Sequence, residues 1–127
     1  MSAALDALAE QLRSEDTPIA DHVVDTGVPV GSEEPDEYAL VMEAVREGYL
    51  LHYGESRVLE GYDEDLALLA GDYLYALGLD RLAALGDTDA VAVLSELISK
   101  CAQLHAEGRD AEVEPLWLEA GRKLREQ

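Results

Sequence analysis

The chain has 127 residues, 48% of them hydrophobic, and its 28 Asp and Glu against 9 Lys and Arg give a formal net charge of −19. A length of this order suits a domain of ordinary size. The acidic excess argues against a nucleic-acid partner and against docking on an anionic membrane surface, because both attractions depend on clustered Lys and Arg.

The cysteine count and the hydropathy pattern indicate the cellular compartment. The chain has one cysteine, Cys101, which permits no intrachain disulfide and is typical of a reducing compartment. Residues 1–6 contain neither the basic segment nor the apolar run of a secretory signal. The most apolar stretch, residues 66–85, contains Asp72, Asp80 and Arg81 and predicts a buried helix instead of a membrane span. We therefore expect a cytoplasmic protein.

The first 35 residues divide into a short helix and an arm. The apolar spacing after Ser2 predicts a helix that ends near Ser14. Residues 15–35 contain three Pro and two Gly among acidic residues, so they predict an extended arm lying on the body of the protein. We expect residues 36–127 to form the helical domain.

The second predicted helix runs from Asp36 to Gly54. Its apolar face holds Leu40, Val41, Ala44, Val45 and Leu51, and its polar face holds Glu43, Arg46 and Glu47. Glu43 and Glu47 are four residues apart and share a face, so the two carboxylates could contact one cation. Arg46 beside them, and the lack of a third carboxylate, argue against a Mg²⁺ site.

The third predicted helix begins with an acidic turn at residues 62–65 and ends near Leu85. Its leucines surround the axis, which is typical of a central helix that needs cover from several neighbours and favours self-association. Gly71 and Gly78 lie on one side and would allow a neighbouring backbone to come close. We expect Asp72, inside this apolar helix, to be buried and hydrogen-bonded.

Two further helices complete the pattern. Residues 86–88 end the third helix and begin a fourth, whose apolar face includes a buried Cys101 and which ends at Gly108. Asp110 is predicted to cap the last helix, with Pro115 near its first turn. The basic residues of the tail, Arg122, Lys123 and Arg125, follow in its final turns. The chain is therefore predicted to be all-α, with about five helices.

Residues 68–76, which read Leu-Leu-Ala-Gly-Asp-Tyr-Leu-Tyr-Ala, resemble a helix of the trans-polyprenyl diphosphate synthases. Residues 82–87 and 91–108 are similar to the turn and the helix that come after it in that family, and residues 52–57 are similar to the connection that carries the family's Arg-rich diphosphate-binding turn. The resemblance covers residues 38–108 and implies a partial isoprenoid-synthase-like bundle. It makes Asp72, Arg57 and Tyr75 candidates for a polar or ligand site, although Tyr75 is more simply explained as a core residue than as the lining of a lipid groove.

The chain departs from the family at the metal-binding motifs. The first aspartate-rich motif would lie near Glu43, where the sequence reads Val-Met-Glu-Ala-Val-Arg-Glu, and residues 109–127 contain no second motif. Without both motifs the ionisation of an allylic diphosphate has no Mg²⁺ support. The three His lie on separate segments without metal-ligand spacing. We therefore expect no catalytic residue, no metal site and no cofactor, with Mg²⁺ needed only if the chain retains prenyl-diphosphate binding.

These features predict a non-catalytic accessory protein similar to the small subunits of heterodimeric hexaprenyl and heptaprenyl diphosphate synthases. Such a protein would act through helix–helix contacts with a catalytic polyprenyl synthase. A helical protein that binds an isoprenoid or another lipid without chemistry is an alternative, as is a self-associating protein of unrelated role. The expected assembly is accordingly either a homo-oligomer or a hetero-oligomer with a catalytic synthase.

Overall fold

The computed structural model describes residues 2–25 and 36–125, and it is all-α, as predicted. Its five α-helices are α1 (Ala3–Ser14), α2 (Glu37–Tyr53), α3 (Glu64–Ala84), α4 (Thr88–Ala106) and α5 (Val113–Arg125). Short 3-10 helices cover Pro18–His22 and Asp110–Glu112. The described residues contain no strand, only an isolated antiparallel bridge between Val23 and Leu59.

Short polar side chains begin four of the helices. The side chain of Ser2 accepts a hydrogen bond from the Leu5 amide at 3.1 Å, and that of Asp63 accepts one from the Leu66 amide at 2.8 Å. The carboxylates of Asp36 and Asp87 do the same for α2 and α4, at 3.1 and 3.0 Å. Each bond satisfies an amide at the helix N-terminus that has no partner within the helix.

The start of α5 differs from the prediction. Asp110 does not cap this helix but opens the 3-10 turn, and α5 begins at Val113. Proline explains the shift. Pro115 has no amide hydrogen, so it fits only where the helix does not need that donor, within the first turn. A helix capped by Asp110 would place Pro115 beyond that turn.

The chain divides into two compact units within α3, unit 1 covering Met1–Gly78 and unit 2 covering Leu79–Gln127. Helices α1 and α2 and most of α3 belong to unit 1, and α4 and α5 belong to unit 2. The boundary predicted after residue 35 lies outside the described residues and stays a prediction.

Unit 1 has a leucine-rich core built on α1. This helix packs against α2, and its buried face joins apolar residues of α2, of α3 and of the segment between them. The core contains Leu5, Leu8, Ala9, Leu12, Ile19, Leu40, Ala44, Leu51, Val58, Leu59, Ala70 and Leu74. The amphipathic spacing predicted for α1 and α2 therefore marks the faces that the core buries.

Helices α2 and α3 cross closely at glycines. A Cβ atom added at Gly48 would lie 2.7 Å from the Tyr75 ring and 2.9 Å from the carbonyl oxygen of Gly71. One added at Gly78 would lie 2.6 Å from a methyl group of Val45. Side chains at these positions would collide with the facing helix, so the close approach predicted for Gly71 and Gly78 is confirmed.

The first part of the arm lies on unit 1. Residues 18–22 form a 3-10 helix instead of the predicted extended chain. The next residues run along the segment before α3: the Val24 amide donates to the Val58 carbonyl at 2.8 Å, and the Glu60 amide donates to the His22 carbonyl at 2.9 Å. The Tyr73 hydroxyl on α3 donates to the carboxylate of Glu15. The rest of the predicted arm, residues 26–35, lies outside the described residues.

In unit 2, α4 packs against α5. Leu94, Leu97 and Cys101 are buried on α4, and Trp117 and Leu124 are buried on α5, so the predicted burial of Cys101 is confirmed. Within residues 2–25 and 36–125, no helix has both the length and the apolar composition needed to span a membrane.

Candidate functional site

Three of the predicted site residues, Glu43, Glu47 and Arg57, meet in unit 1. Glu47 was expected on the polar face of α2, but its side chain is fully buried, with 0% exposure. It lies on the core face of α2, one turn from Ala44 and Leu51 and two turns from Leu40. A carboxylate removed from water must be paired and hydrogen-bonded, so its partners determine what this cluster can do.

The segment between α2 and α3 supplies those partners. One carboxylate oxygen of Glu47 accepts from the Ser56 hydroxyl and the Arg57 amide, both at 2.8 Å, and from the Val58 amide at 3.3 Å. The other oxygen accepts from Nε of Arg57 at 2.6 Å. Ser56 also accepts from the amides of Val58 and Leu59, at 3.1 and 3.0 Å. Glu47 thus anchors the segment to α2.

Arg57 bridges the two glutamates. Its Nη2 donates to Glu43 at 2.7 Å while its Nε donates to Glu47. Partial burial opposes the charge of the guanidinium, but hydrogen bonds and charges from Glu47 and Glu43 outweigh that effect and raise the pKa of Arg57 above its usual value. Arg57 therefore stays protonated, and the three side chains together carry a net charge of −1.

This arrangement explains why the cluster suits neither a cation nor a diphosphate. Both carboxylate oxygens of Glu47 and one of Glu43 already accept hydrogen bonds from Arg57 and its neighbours, and Mg²⁺ would have to compete with these donors. The guanidinium that could hold a phosphate is paired with two carboxylates, and a local charge of −1 repels an anion. Among the described residues, no group of three or more His, Cys, Asp or Glu could hold a metal ion.

Asp72 and Tyr75 lie in a second group, around His52. The prediction that Asp72 is buried was wrong: 78% of its side chain is exposed, and it lies 3.1 Å from Nε2 of His52, whose side chain is 16% exposed. The ring of His52 stacks on that of Tyr75, with centroids 5.3 Å apart. Tyr75 is half-buried and packs at the Gly48 crossing, so it serves packing between α2 and α3.

A third feature is an exposed apolar surface on α3. Leu68 and Leu69 are 55% and 59% exposed, on the helix that the sequence predicted to need cover from several neighbours. Asp65 and Asp72 are exposed too and lie one turn away in each direction, which places the four on one helix face. We call Asp65, Leu68, Leu69 and Asp72 the leucine surface.

The sequence did not identify two contributors to these sites, and one spacing signal was not used. Ser56 and His52 lie within residues 52–57, which the resemblance includes, but neither was predicted as a site residue, because folding alone brings them to Glu47 and Asp72. Glu47 did carry a signal: it follows Leu40 by seven residues and precedes Leu51 by four, which are spacings of a single helix face. A charged residue at such a position predicts a buried, paired carboxylate.

Comparison of the chain with protein-family models, curated proteins and solved structures found no match. The resemblance to the polyprenyl synthases therefore remains a prediction from the residues that carry it.

Proposed function

We propose that this chain is a non-catalytic helical protein that binds a catalytic polyprenyl diphosphate synthase through its leucine surface. The observation that carries the proposal is the exposure of Leu68 and Leu69, two adjacent leucines on a helix whose other side is packed into the core of unit 1. Single exposed apolar residues are common, but a contiguous apolar patch with a polar rim is typical of a protein-binding surface.

The two sides of α3 support this role. Ala70 and Leu74 belong to the core of unit 1, and Gly71 allows the close crossing with α2. The Ala-Gly-Asp-Tyr-Leu segment that resembles the synthase helix is thus used for packing on one side. The opposite side presents Leu68 and Leu69, which a partner helix would cover and remove from water.

The absence of catalysis in this proposal rests on the glutamate–arginine cluster. Glu43 stands near where the first aspartate-rich motif of the synthases would lie, and its carboxylate is bonded to Arg57 at 2.7 Å. Glu47 is fully buried and satisfied by the adjacent segment. In this chain, the residues at these positions bind the segment between α2 and α3, a role that differs from Mg²⁺ coordination.

The lipid-binding alternative has less support. A groove between α4 and α5 in unit 2 has a volume of about 60 Å³. Its lining is half apolar and half charged: Val93, Leu97, Leu116 and Ala120, with Glu96, Lys100, Glu119 and Lys123. A cavity that holds benzene measures about 150 Å³, so this groove is too small for an isoprenoid chain. Native mass spectrometry that finds a lipid bound to the purified protein would favour the alternative.

The proposal is tested by measuring the affinity of the protein for a full-length polyprenyl synthase of the same organism by isothermal titration calorimetry. We expect wild type to bind and the double variant Leu68→Ser/Leu69→Ser to bind about tenfold more weakly or worse, because buried apolar anchors dominate such interfaces. Leu118→Ser is the matched control: Leu118 is 67% exposed but lies on α5, so its loss should not weaken binding. Lack of binding by wild type, or equal loss in the control, would contradict the proposal.

A further inference from the structure

We propose that a second copy of this chain docks on the leucine surface through the outer face of its α5. That face contains Leu118, Arg122 and Arg125, which we call the basic face. The contact goes beyond the proposed function, because it needs no synthase. It also places a second copy in competition with the synthase for the same leucines.

The acidic rim of the leucine surface restricts what can cover it. Asp65 precedes Leu69 by four residues and Asp72 follows Leu68 by four, so a carboxylate borders the leucines at each end. Asp72 has 78% of its side chain exposed. A partner with an apolar patch and positive charges would cover the leucines and also pair with the aspartates.

Pairing of two leucine surfaces with each other is disfavoured by the same rim. In such a symmetric contact each surface meets an identical one, so the aspartates of one copy face those of the other. Like charges brought together across an interface oppose association. The charges on α3 therefore favour a contact between two different faces of the chain.

The basic face has the complementary pattern. Leu118 is 67% exposed, and Arg122 and Arg125, four and seven residues further along α5, are exposed on the same side of the helix. Glu114, four residues before Leu118, is exposed on this side too. The face thus combines an exposed leucine with two cations toward the end of α5 and one carboxylate toward its start. Four of the nine basic residues of the chain lie in residues 109–127.

Arg122 can change partners at little cost. Nε of Arg122 donates to Glu119 at 3.2 Å and its Nη2 donates to the same carboxylate at 2.5 Å, with both side chains about half exposed. Exposed ion pairs of this kind contribute little to stability. By contrast, Arg57 is held by two carboxylates, one of them fully buried, and is poorly placed to serve a partner.

The contact joins two different faces, so every copy keeps one leucine surface and one basic face for further copies. Such an arrangement forms open chains or closes into rings, the smallest ring being a dimer in which two copies exchange the contact reciprocally. The observable consequence is self-association that grows with protein concentration and stops when either face is altered.

The test is sedimentation velocity of the full chain with charges reversed on one face at a time. Variant A carries Arg122→Glu and Arg125→Glu, and variant B carries Asp65→Arg and Asp72→Arg. We expect wild type to associate and each variant alone to remain monomeric, because its two faces then carry the same sign of charge. An equal mixture of A and B should associate again, since each face finds an opposite one on the other variant.

Circular dichroism shows whether each variant keeps its helices, and Leu118→Ser provides a test without charge reversal. We expect Leu118→Ser to raise the dissociation constant of self-association about tenfold, while its affinity for the synthase is unchanged or higher. A wild-type chain that stays monomeric to about 1 mM, or a variant A that still associates, would overturn the inference. A monomeric wild type that nevertheless binds the synthase would leave the proposed function standing.

Discussion

The two units of this protein keep their charged and small residues in different environments. In unit 1, a fully buried glutamate organises the segment before α3, and glycines let α2 and α3 touch. In unit 2, α4 packs against α5 through apolar faces, the ion pairs described there lie on the surface, and two glycines serve turns. The charged residues and glycines named here therefore belong to the core and the helix crossing in unit 1, but to the surface and the turns in unit 2.

Glu47 and Glu112 show this difference most directly. Both are bonded at 2.6 Å to Nε of an arginine, Arg57 and Arg109 respectively. Glu47 has no exposure, whereas 53% of the Glu112 side chain is exposed. Water can replace the arginine at Glu112 but cannot reach Glu47, so only the buried pair should be needed for folding.

The largest expected effect comes from removing the charge at Glu47. Glu47→Gln keeps the shape but cannot accept all the bonds from Ser56, Arg57 and Val58, so we expect a loss of about 3 kcal/mol in the free energy of unfolding. Glu112→Gln is the matched change in unit 2, and we expect no measurable loss. Urea denaturation of both variants makes the comparison. Equal stability of the two would show that burial does not distinguish these pairs.

The next largest effect is expected at the helix crossing. A methyl group at Gly48 would meet the Tyr75 ring and the Gly71 carbonyl within 3 Å, so we expect Gly48→Ala to lower the free energy of unfolding by about 1–3 kcal/mol despite the higher helix propensity of Ala.

Gly86 in unit 2 is the contrasting position for that experiment. Its Cβ would have open space, but its φ of +76° is left-handed. Because Asn tolerates this conformation, Gly86→Asn should unfold near the wild-type urea concentration. If Gly48→Ala were as stable as wild type, the close crossing would not constrain α2 and α3.

The smallest expected effect is the alkaline titration of Tyr73, in unit 1. Burial, together with the hydrogen bond to Glu15 and its charge, raises the pKa of Tyr73 to about 12. A raised pKa in the folded state means that this stabilisation is complete below about pH 10 and is lost between pH 10 and pH 12. We expect Tyr73→Phe to be less stable than wild type at pH 8, with a difference that shrinks above pH 10.

Thermal unfolding at a series of pH values measures that difference. Tyr53→Phe is a suitable control, because Tyr53 is 41% exposed and the substitution keeps the tilted contact of its ring with Tyr49. A difference between Tyr73→Phe and wild type that stays constant up to pH 12 would contradict the role assigned to the hydroxyl.

Local rules predicted most of the helices and their ends. Helices begin close to the predicted starts at positions 2, 36, 63 and 87, and the side chain at each position caps its helix, because capping depends only on a side chain and the next three amides. Asp110 failed as a cap because Pro115 set the start of α5. The glycine crossing was also predictable, since Gly71 and Gly78 share a helix side.

The candidate site was predicted only in part. The spacing of Glu43 and Glu47 placed them one turn apart on α2, but it did not show that Glu47 faces the core or that Arg57 bridges the two. Asp72 was predicted to be buried, but its side chain is 78% exposed. A helix with leucines around its axis does not indicate which of them its neighbours cover.

The sequence by itself determined the all-α class, the acidic surface, the capped helix starts and the small residues for close packing, because these depend on composition and on contacts within a few residues. Only the tertiary structure decided that Ser56 and Arg57 are the partners of the buried Glu47, and that Leu68 and Leu69 remain exposed. Those outcomes depend on which segments distant in sequence meet, and burial then sets the strength of each charge and the availability of each apolar side chain.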